Sequence, residues 1–351
     1  MIALAAPAQA QDFSVVVAPN YRTFSLDESL AATSASLMML PVAVSVPLGR
    51  SLEIDAYGAY ASGRVETSAG EELSLDGPVD TQLRATWAAL PWARVTLGVN
   101  VPTGNGTHSA EEAQVAALLS TDLLGFREAR FGTGLGITTG LAAAHQLGAW
   151  AVGYGASYRM AGEFEPSEDT STVYSPGDEI MARLAIDRNI GVGGKLTFGG
   201  TVQHFADDEF GDNLFAPGMR LRGDASYAFR AGSTTTMMLF LTDLWREQGE
   251  VSLVDDAESS ATIGSQNVLI MGAGANFGSL LGLSPRADVR ILSHEEGAGS
   301  GWLAGVGTGI EAGIAGFDLS PRGRFLFGAL ESDDGESYGL SGFEIELIAR
   351  F

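Results

Sequence analysis

GLSGFEIELIARF, the segment from Gly339 to Phe351, alternates with period two. Phe343, Ile345, Leu347, Ala349 and Phe351 share one face of an extended strand, while Glu344, Glu346 and Arg350 share the other. Successive side chains on a strand point to opposite faces, so this segment has one apolar and one polar side. By itself the pattern also suits a half-buried strand of a soluble sandwich.

The same pattern recurs along the chain. From Asp12 onward, alternating segments of about 10–14 residues are separated by connections that are alternately short and long. The short ones include Leu48-Gly49-Arg50, Pro91-Trp92, Leu147-Gly148, Ala231-Gly232 and Ala315-Gly316. The long ones include an acidic loop at 66–77 and the segment 104–130. The alternation predicts about 16 strands, with 14 as the alternative because the Gly-rich segments carry weak patterns. An even number places every short turn on one side and every long loop on the other. A terminal Phe preceded by alternating apolar residues resembles the closing strand of outer-membrane β-barrel proteins, in which that ending is the assembly signal. The resemblance implies an all-β, closed antiparallel transmembrane barrel in the outer membrane of a Gram-negative bacterium, porin-like, with Phe351 read by the barrel-assembly machinery.

Composition agrees with that reading. The 351 residues include 46 Gly and no Cys, without a linker-like tract, so residues 11–351 read as a single barrel domain. No apolar run reaches the roughly 18 residues of a membrane helix. A strand crosses lipid only in a sheet without edges, because unpaired backbone groups have no water to bond. Ala8-Gln9-Ala10 before Gln11-Asp12 has the small-x-small form of a signal-peptidase site, so residues 1–10 read as a signal-peptide remnant; an Ala-rich tail is the alternative. The net charge of −23 concentrates in predicted outer loops, at Glu71, Glu72, Asp76, Asp207, Asp208, Glu209, Asp255, Asp256, Glu258, Asp333 and Asp334 among others. Such a rim excludes nucleic acid as a partner and fits either cation bridges to lipopolysaccharide phosphates or a plain solvated surface. Trp87, Trp92 and Trp150 fall near one set of strand ends and Trp245 and Trp302 near the other, as two aromatic girdles require. A soluble barrel with these residues in its core is the competing fold.

In a membrane barrel the polar faces line the lumen. They carry Arg22, Arg84, Arg94, Arg183, Arg220, Arg222, Arg286, Arg290, Arg322 and Arg324, with Glu53, Asp55, Asp80, Glu179, Asp187, Asp224, Asp288 and Asp318. Arg forks pair bidentately with carboxylates and order a wall of fixed charge. Sixteen strands enclose too wide a space for side chains to fill, so a channel or an inserted plug is required. The insert is predicted in segment 104–130. Ser109 and Glu112 form a capping box, Glu111 is in the first turn, and Val115, Leu118, Leu119 and Asp122 follow at helical spacing up to Gly125. This helix is predicted to constrict or cap the barrel.

Val99-Asn100-Val101-Pro102-Thr103-Gly104 is similar to the Leu-Pro-Thr-Gly element of outer-membrane proteins grouped with phenol meta-pathway and long-chain fatty-acid transporters. That resemblance implies transport of hydrophobic or aromatic compounds, although the chain leaves no room for the N-terminal hatch of the fatty-acid transporters. His108, His145, His204 and His294 are scattered without metal-ligand spacing, and there is no G-x-S-x-G and no P-loop, so neither an enzyme, a cofactor nor a metal is expected. A membrane hydrolase using a Ser with His204 or His294 is the enzymatic alternative. The sequence therefore predicts a passive outer-membrane channel for small solutes, whose partners are lipid, lipopolysaccharide, the assembly machinery and the solute, with homo-oligomerisation left open. A transporter of hydrophobic compounds and a closed structural or surface-binding barrel are the alternatives. Neutralising Arg220, Arg222, Arg322 and Arg324 is expected to shift ion selectivity towards cations.

Overall fold

Strands whose two faces differ in chemistry are satisfied together only if the sheet closes, with one face meeting a single solvent outside and the other a different one inside. The computed structural model does this. It describes residues 13–126, 131–191, 193–252, 260–278, 282–294, 299–314, 317–332 and 334–351; the signal-peptide remnant and Asp255, Asp256, Glu258 and Asp333 lie outside these.

Sixteen antiparallel strands form the barrel. In chain order they are β1 (Ser14–Val17, continued by Asn20–Leu26), β2 (Ala32–Leu48), β3 (Leu52–Thr67), β4 (Glu72–Pro78, continued by Thr81–Leu90) and β5 (Ala93–Val101). After helix α1 (Ala110–Leu119) come β6 (Gly136–Leu147), β7 (Trp150–Ala161), β8 (Glu179–Ile190), β9 (Gly194–Phe205), β10 (Arg220–Ala231) and β11 (Thr235–Arg246). The last five are β12 (Gln266–Phe277), β13 (Gly282–Leu283, continued by Arg286–His294), β14 (Ser300–Ile314), β15 (Phe317–Glu331) and β16 (Ser337–Arg350). The segment from Gly339 closes the cylinder: Val16 and Val17 pair with Arg350 and Ala349, and Asn20 to Leu26 pair with Glu346 to Leu340.

The outward face is an apolar band. Met38, Leu40, Leu83, Leu141, Tyr154, Leu184, Phe198, Leu239, Phe325, Phe327, Ile345 and Leu347 are all exposed, at strand positions whose neighbours point inward. Water would not tolerate that contiguous surface, and lipid requires it. Trp87, Trp92 and Trp150 stand at the short-turn ends and Trp302 at the long-loop end. A closed sheet with a lipid-facing band and aromatic girdles is the architecture of bacterial outer-membrane barrels, and it places this chain in that membrane.

The strands depart from expectation above the band. Residues 72–78, of which 72–77 fall in the predicted acidic loop, extend β4 against Tyr60–Glu66 of β3. There the two faces exchange chemistry. Leu73 and Leu75 point inward and are buried with Ala35, Leu37, Met39, Ala61 and Val65, while Glu72 and Asp76 point outward and meet Arg64, whose Nη1 is 2.6 Å from Asp76 Oδ2. Beyond the lipid the outside is water and the inside is protein, so the alternation inverts. The long loops also build structure of their own: Tyr174–Ser175, Asp208–Phe210, Asn213–Ala216, Gly249–Ser252 and Ser260–Ile263 pair successively into a five-stranded sheet on the outer side.

Candidate functional site

The inserted segment explains the apolar interior. Ser109 caps α1: its Oγ accepts from Glu112 N at 3.3 Å while Glu112 Oε2 accepts from Ser109 N at 3.0 Å. The helix stops at Leu119, earlier than the Gly125 expected, with Ser120 as C-cap, and the chain turns through Asp122–Leu124. Val115 and Leu119 are buried in the apolar patch of β2, β3 and β4. Leu123 and Leu124 are buried in a second patch made by Phe24, Val268, Leu292, Leu303, Leu326 and Leu340. Leu118 and Phe126 touch both patches. Each buried aliphatic side chain contributes about 1.5–3 kcal/mol relative to an exposed one. The segment therefore folds into the outer half of the lumen and spans from one wall to another. Two inward glycines make room for it: a methyl at Gly63 or at Gly301 would lie 2.8 Å from a methyl of Leu119 or of Leu123.

Polar contacts fix both ends of the insert. Asp80, buried where β4 breaks, accepts from Gly104 N at 2.9 Å, Thr133 N at 2.7 Å and Asn100 Nδ2 at 2.8 Å, so one carboxylate ties the outgoing and returning arms together. The Pro102-Thr103-Gly104 element thus forms a loop root. At the tip, Arg290 donates to the carbonyls of Asp122 (2.6 Å) and Leu123 (3.1 Å), and Arg22 donates to those of Leu124 (2.9 Å) and Gly125.

Beneath the tip, the β13–β16 and β1 wall carries a continuous charge network. Glu344 joins Arg22 (2.7 Å) to Arg324 (3.2 Å), and Asp288 joins Arg324 (2.6 Å) to Arg286 (3.2 Å). Arg322 is 3.5 Å from Glu346. Side-chain exposure is only 20% for Arg324 and 9% for Glu344. These arginines lie flat over β14, where a Cβ at Gly305 or Gly307 would collide with Arg324.

The opposite wall differs. Between the loop tip (Ser120, Asp122) and β7–β12 lies a cavity of about 980 Å³ lined by Arg159, Arg183, Arg220, Arg222 and Arg246, with Asp122, Glu179 and Asp208. Five arginines face three carboxylates there, so the lining is net positive although the whole chain is strongly acidic. Arg222 is paired with Asp224 at 2.8 Å, Asp224 also lies near Arg183, and Asp122 lies near Arg246. Arg159, Arg183, Arg220 and Arg246 form no ion pair among the described residues. Arg220 instead stacks on Phe205, 4.9 Å from the ring centroid. Asp208, expected in a solvated loop, is buried and accepts from Gly177 N at 2.7 Å and from the Tyr174 hydroxyl. Arg159 and Arg246 were not singled out in the sequence; their strand parity, shared with Ser157 and Thr242, is the signal that places them inward.

On the short-turn side Glu53, Arg84, Arg94 and Lys195 are exposed. Arg84 pairs with Asp55 at 2.8 Å, Glu53 accepts from Ser45 at 2.6 Å, and Lys195 pairs with Asp187 at 2.8 Å. Among the described residues no cluster of three metal-ligating side chains occurs. Phe351 is exposed at the rim, its ring 5.0 Å from that of Phe317.

No family model matches the chain, and no curated protein does. Solved structures similar to it include the outer-membrane protein OmpT of Vibrio cholerae (10% identity, 99% of each chain, TM-score 0.46). Others are the outer membrane protein OpdK of Pseudomonas aeruginosa (10%, 97% of this chain and 99% of that one, TM-score 0.46) and an anion-selective porin from Comamonas acidovorans (10%, 97% and 99%, TM-score 0.45). At that level of likeness no residue role or ligand carries over, and the functional reading rests on the chain's own geometry.

Proposed function

We propose that the chain is a passive outer-membrane channel whose solute route runs past the inserted loop along the β7–β12 wall and prefers anions. The observation behind this is the asymmetry of the lumen. Segment 109–124 occupies the side over β1–β4 and β12–β16, and the remaining space is lined by five arginines, four of them without an ion pair among the described residues. Arg guanidinium groups at fixed positions in a confined aqueous passage raise the local concentration of anions and repel cations. Segment 109–124 then acts as the constriction, with Val115, Leu118 and Leu119 as its wall anchors and Asp122 as its charged edge. Arg183, Arg220 and Arg246 act as the selectivity wall, while Arg290, Arg322, Arg324, Asp288 and Glu344 hold the plug and its support.

Single-channel recording in planar bilayers tests this with the full chain and with residues 106–126 deleted. Conductance in the full chain that rises on deletion is the expected result. Silence in both forms, with the barrel folded, would contradict a channel and leave the closed-barrel reading.

A further inference from the structure

Helix α1 has two apolar faces, and the wall accounts for only one. Val115 and Leu119 point to the wall and Ala116 packs at its edge, whereas Ala113 and Ala117 face away from it. These alanines floor a second cavity, of about 690 Å³, roofed by the outer-loop sheet through Phe210, Leu214, Phe215, Val251 and Ile263. Its lining is mainly apolar, with His108, Ser120 and Asn213 among the polar members, and Phe210, Leu214 and Ile263 remain exposed, so the loops leave the cleft open and do not collapse into a core. Small side chains on the helix leave room for a guest of drug-like size.

The cleft and the arginine cavity are contiguous: Ser120, Phe164, Tyr174 and Phe215 line both. A molecule arriving from outside meets aromatic and aliphatic surface first and unpaired guanidinium groups directly beyond. A small inorganic anion has no use for the first surface, and a neutral hydrocarbon has none for the second. We propose that the cleft is a capture site for amphiphilic organic anions, with an aromatic or aliphatic body seated on Ala113, Ala116 and Phe215 and a carboxylate directed at Arg220 and Arg246. This rests on the channel reading above and specifies the solute class for the same route.

The test uses the native chain with phenylacetate, acetate and benzyl alcohol as probes, in two readouts. In planar bilayers, phenylacetate reduces the chloride current at about tenfold lower concentration than acetate, the gain expected from burying one ring. Benzyl alcohol, with the same ring and no charge, leaves the current unaffected at that concentration. Ala117→Trp, at an exposed cleft position, fills the cleft and brings phenylacetate to the level of acetate. Equal potency of phenylacetate and acetate overturns the proposal, and so does equal potency of benzyl alcohol and phenylacetate. If the protein conducts nothing, the channel reading fails by itself. Saturation-transfer NMR on the refolded barrel then decides the capture site: phenylacetate contact that acetate and benzyl alcohol lack, and that Ala117→Trp removes, supports it, and its absence overturns it.

Discussion

Arg324 and Arg220 are the same side chain on inward-facing strand positions of one barrel, and they have opposite surroundings. Arg324 lies between Asp288 and Glu344, largely covered by the plug above it. Arg220 stands exposed on the far wall with an aromatic ring and no carboxylate partner. Covered charges must be paired, because an isolated buried ion is costly, whereas a charge facing water can remain free to meet a solute. On the proposed channel reading, the position of one loop divides Arg324 and Arg220 into one that holds structure and one that selects the solute.

Several substitutions test that division. The largest effect belongs to Glu344→Gln, which leaves Arg22 without its carboxylate and Arg324 with Asp288 alone. A loss of about 3–5 kcal/mol is expected, read by urea unfolding in lipid vesicles, with ion preference retained in any conducting channel. Leu119→Ala removes a wall anchor over Gly63; the expected cost is about 2–5 kcal/mol of loop docking, seen as protease cleavage within residues 105–126 and a raised conductance. Asp80→Asn weakens the acceptor shared by Gly104 and Thr133, and a smaller loss of about 1.5–3 kcal/mol is expected, seen as faster hydrogen exchange at both arms. At the other extreme, Arg220→Gln leaves unfolding stability within about 0.5 kcal/mol of the native protein while lowering anion preference. A Glu344→Gln channel that changed selectivity as strongly as Arg220→Gln would erase the distinction between the walls.

Much of the barrel was legible because lipid and water impose opposite chemistry on alternating residues. The inward placement of Arg183, Arg220 and Arg324 follows from parity, the strand count from the spacing of the alternating segments, and the closing role of Gly339–Phe351 from its resemblance to the last strand of outer-membrane barrels. The upper ends of β2–β4 were not legible in the same way. On β2 the outward set runs Ser34, Ser36, Met38 and Leu40, and the inward set runs Ala35, Leu37 and Met39. The consecutive apolar residues Leu37 to Leu40 mark the point where the outside changes from water to lipid, a phase shift that resembles noise until the plug is seen. The Ser109 capping box gave the helix start, but the stop at Leu119 depends on tertiary contacts of the tip with Arg22 and Arg290, which are distant in sequence. Arg220, Arg222, Arg322 and Arg324, read alike in the sequence, have different surroundings: Arg222 pairs along its own strand with Asp224, whereas Arg322 and Arg324 pair across strands with Glu346 and Glu344, partners that one strand's pattern does not show. The outer cleft, assembled from loops after four different strands, left no local signal.

The reversal potential across a potassium chloride gradient, compared between the native channel and the triple variant Arg183→Gln, Arg220→Gln, Arg246→Gln, tests the division most directly. The account predicts an anion-preferring native channel that moves clearly towards cation preference in the variant, with unfolding stability little changed. A conducting variant with the native reversal potential would contradict it, because the unpaired arginines of the β7–β12 wall would then not face the solute route.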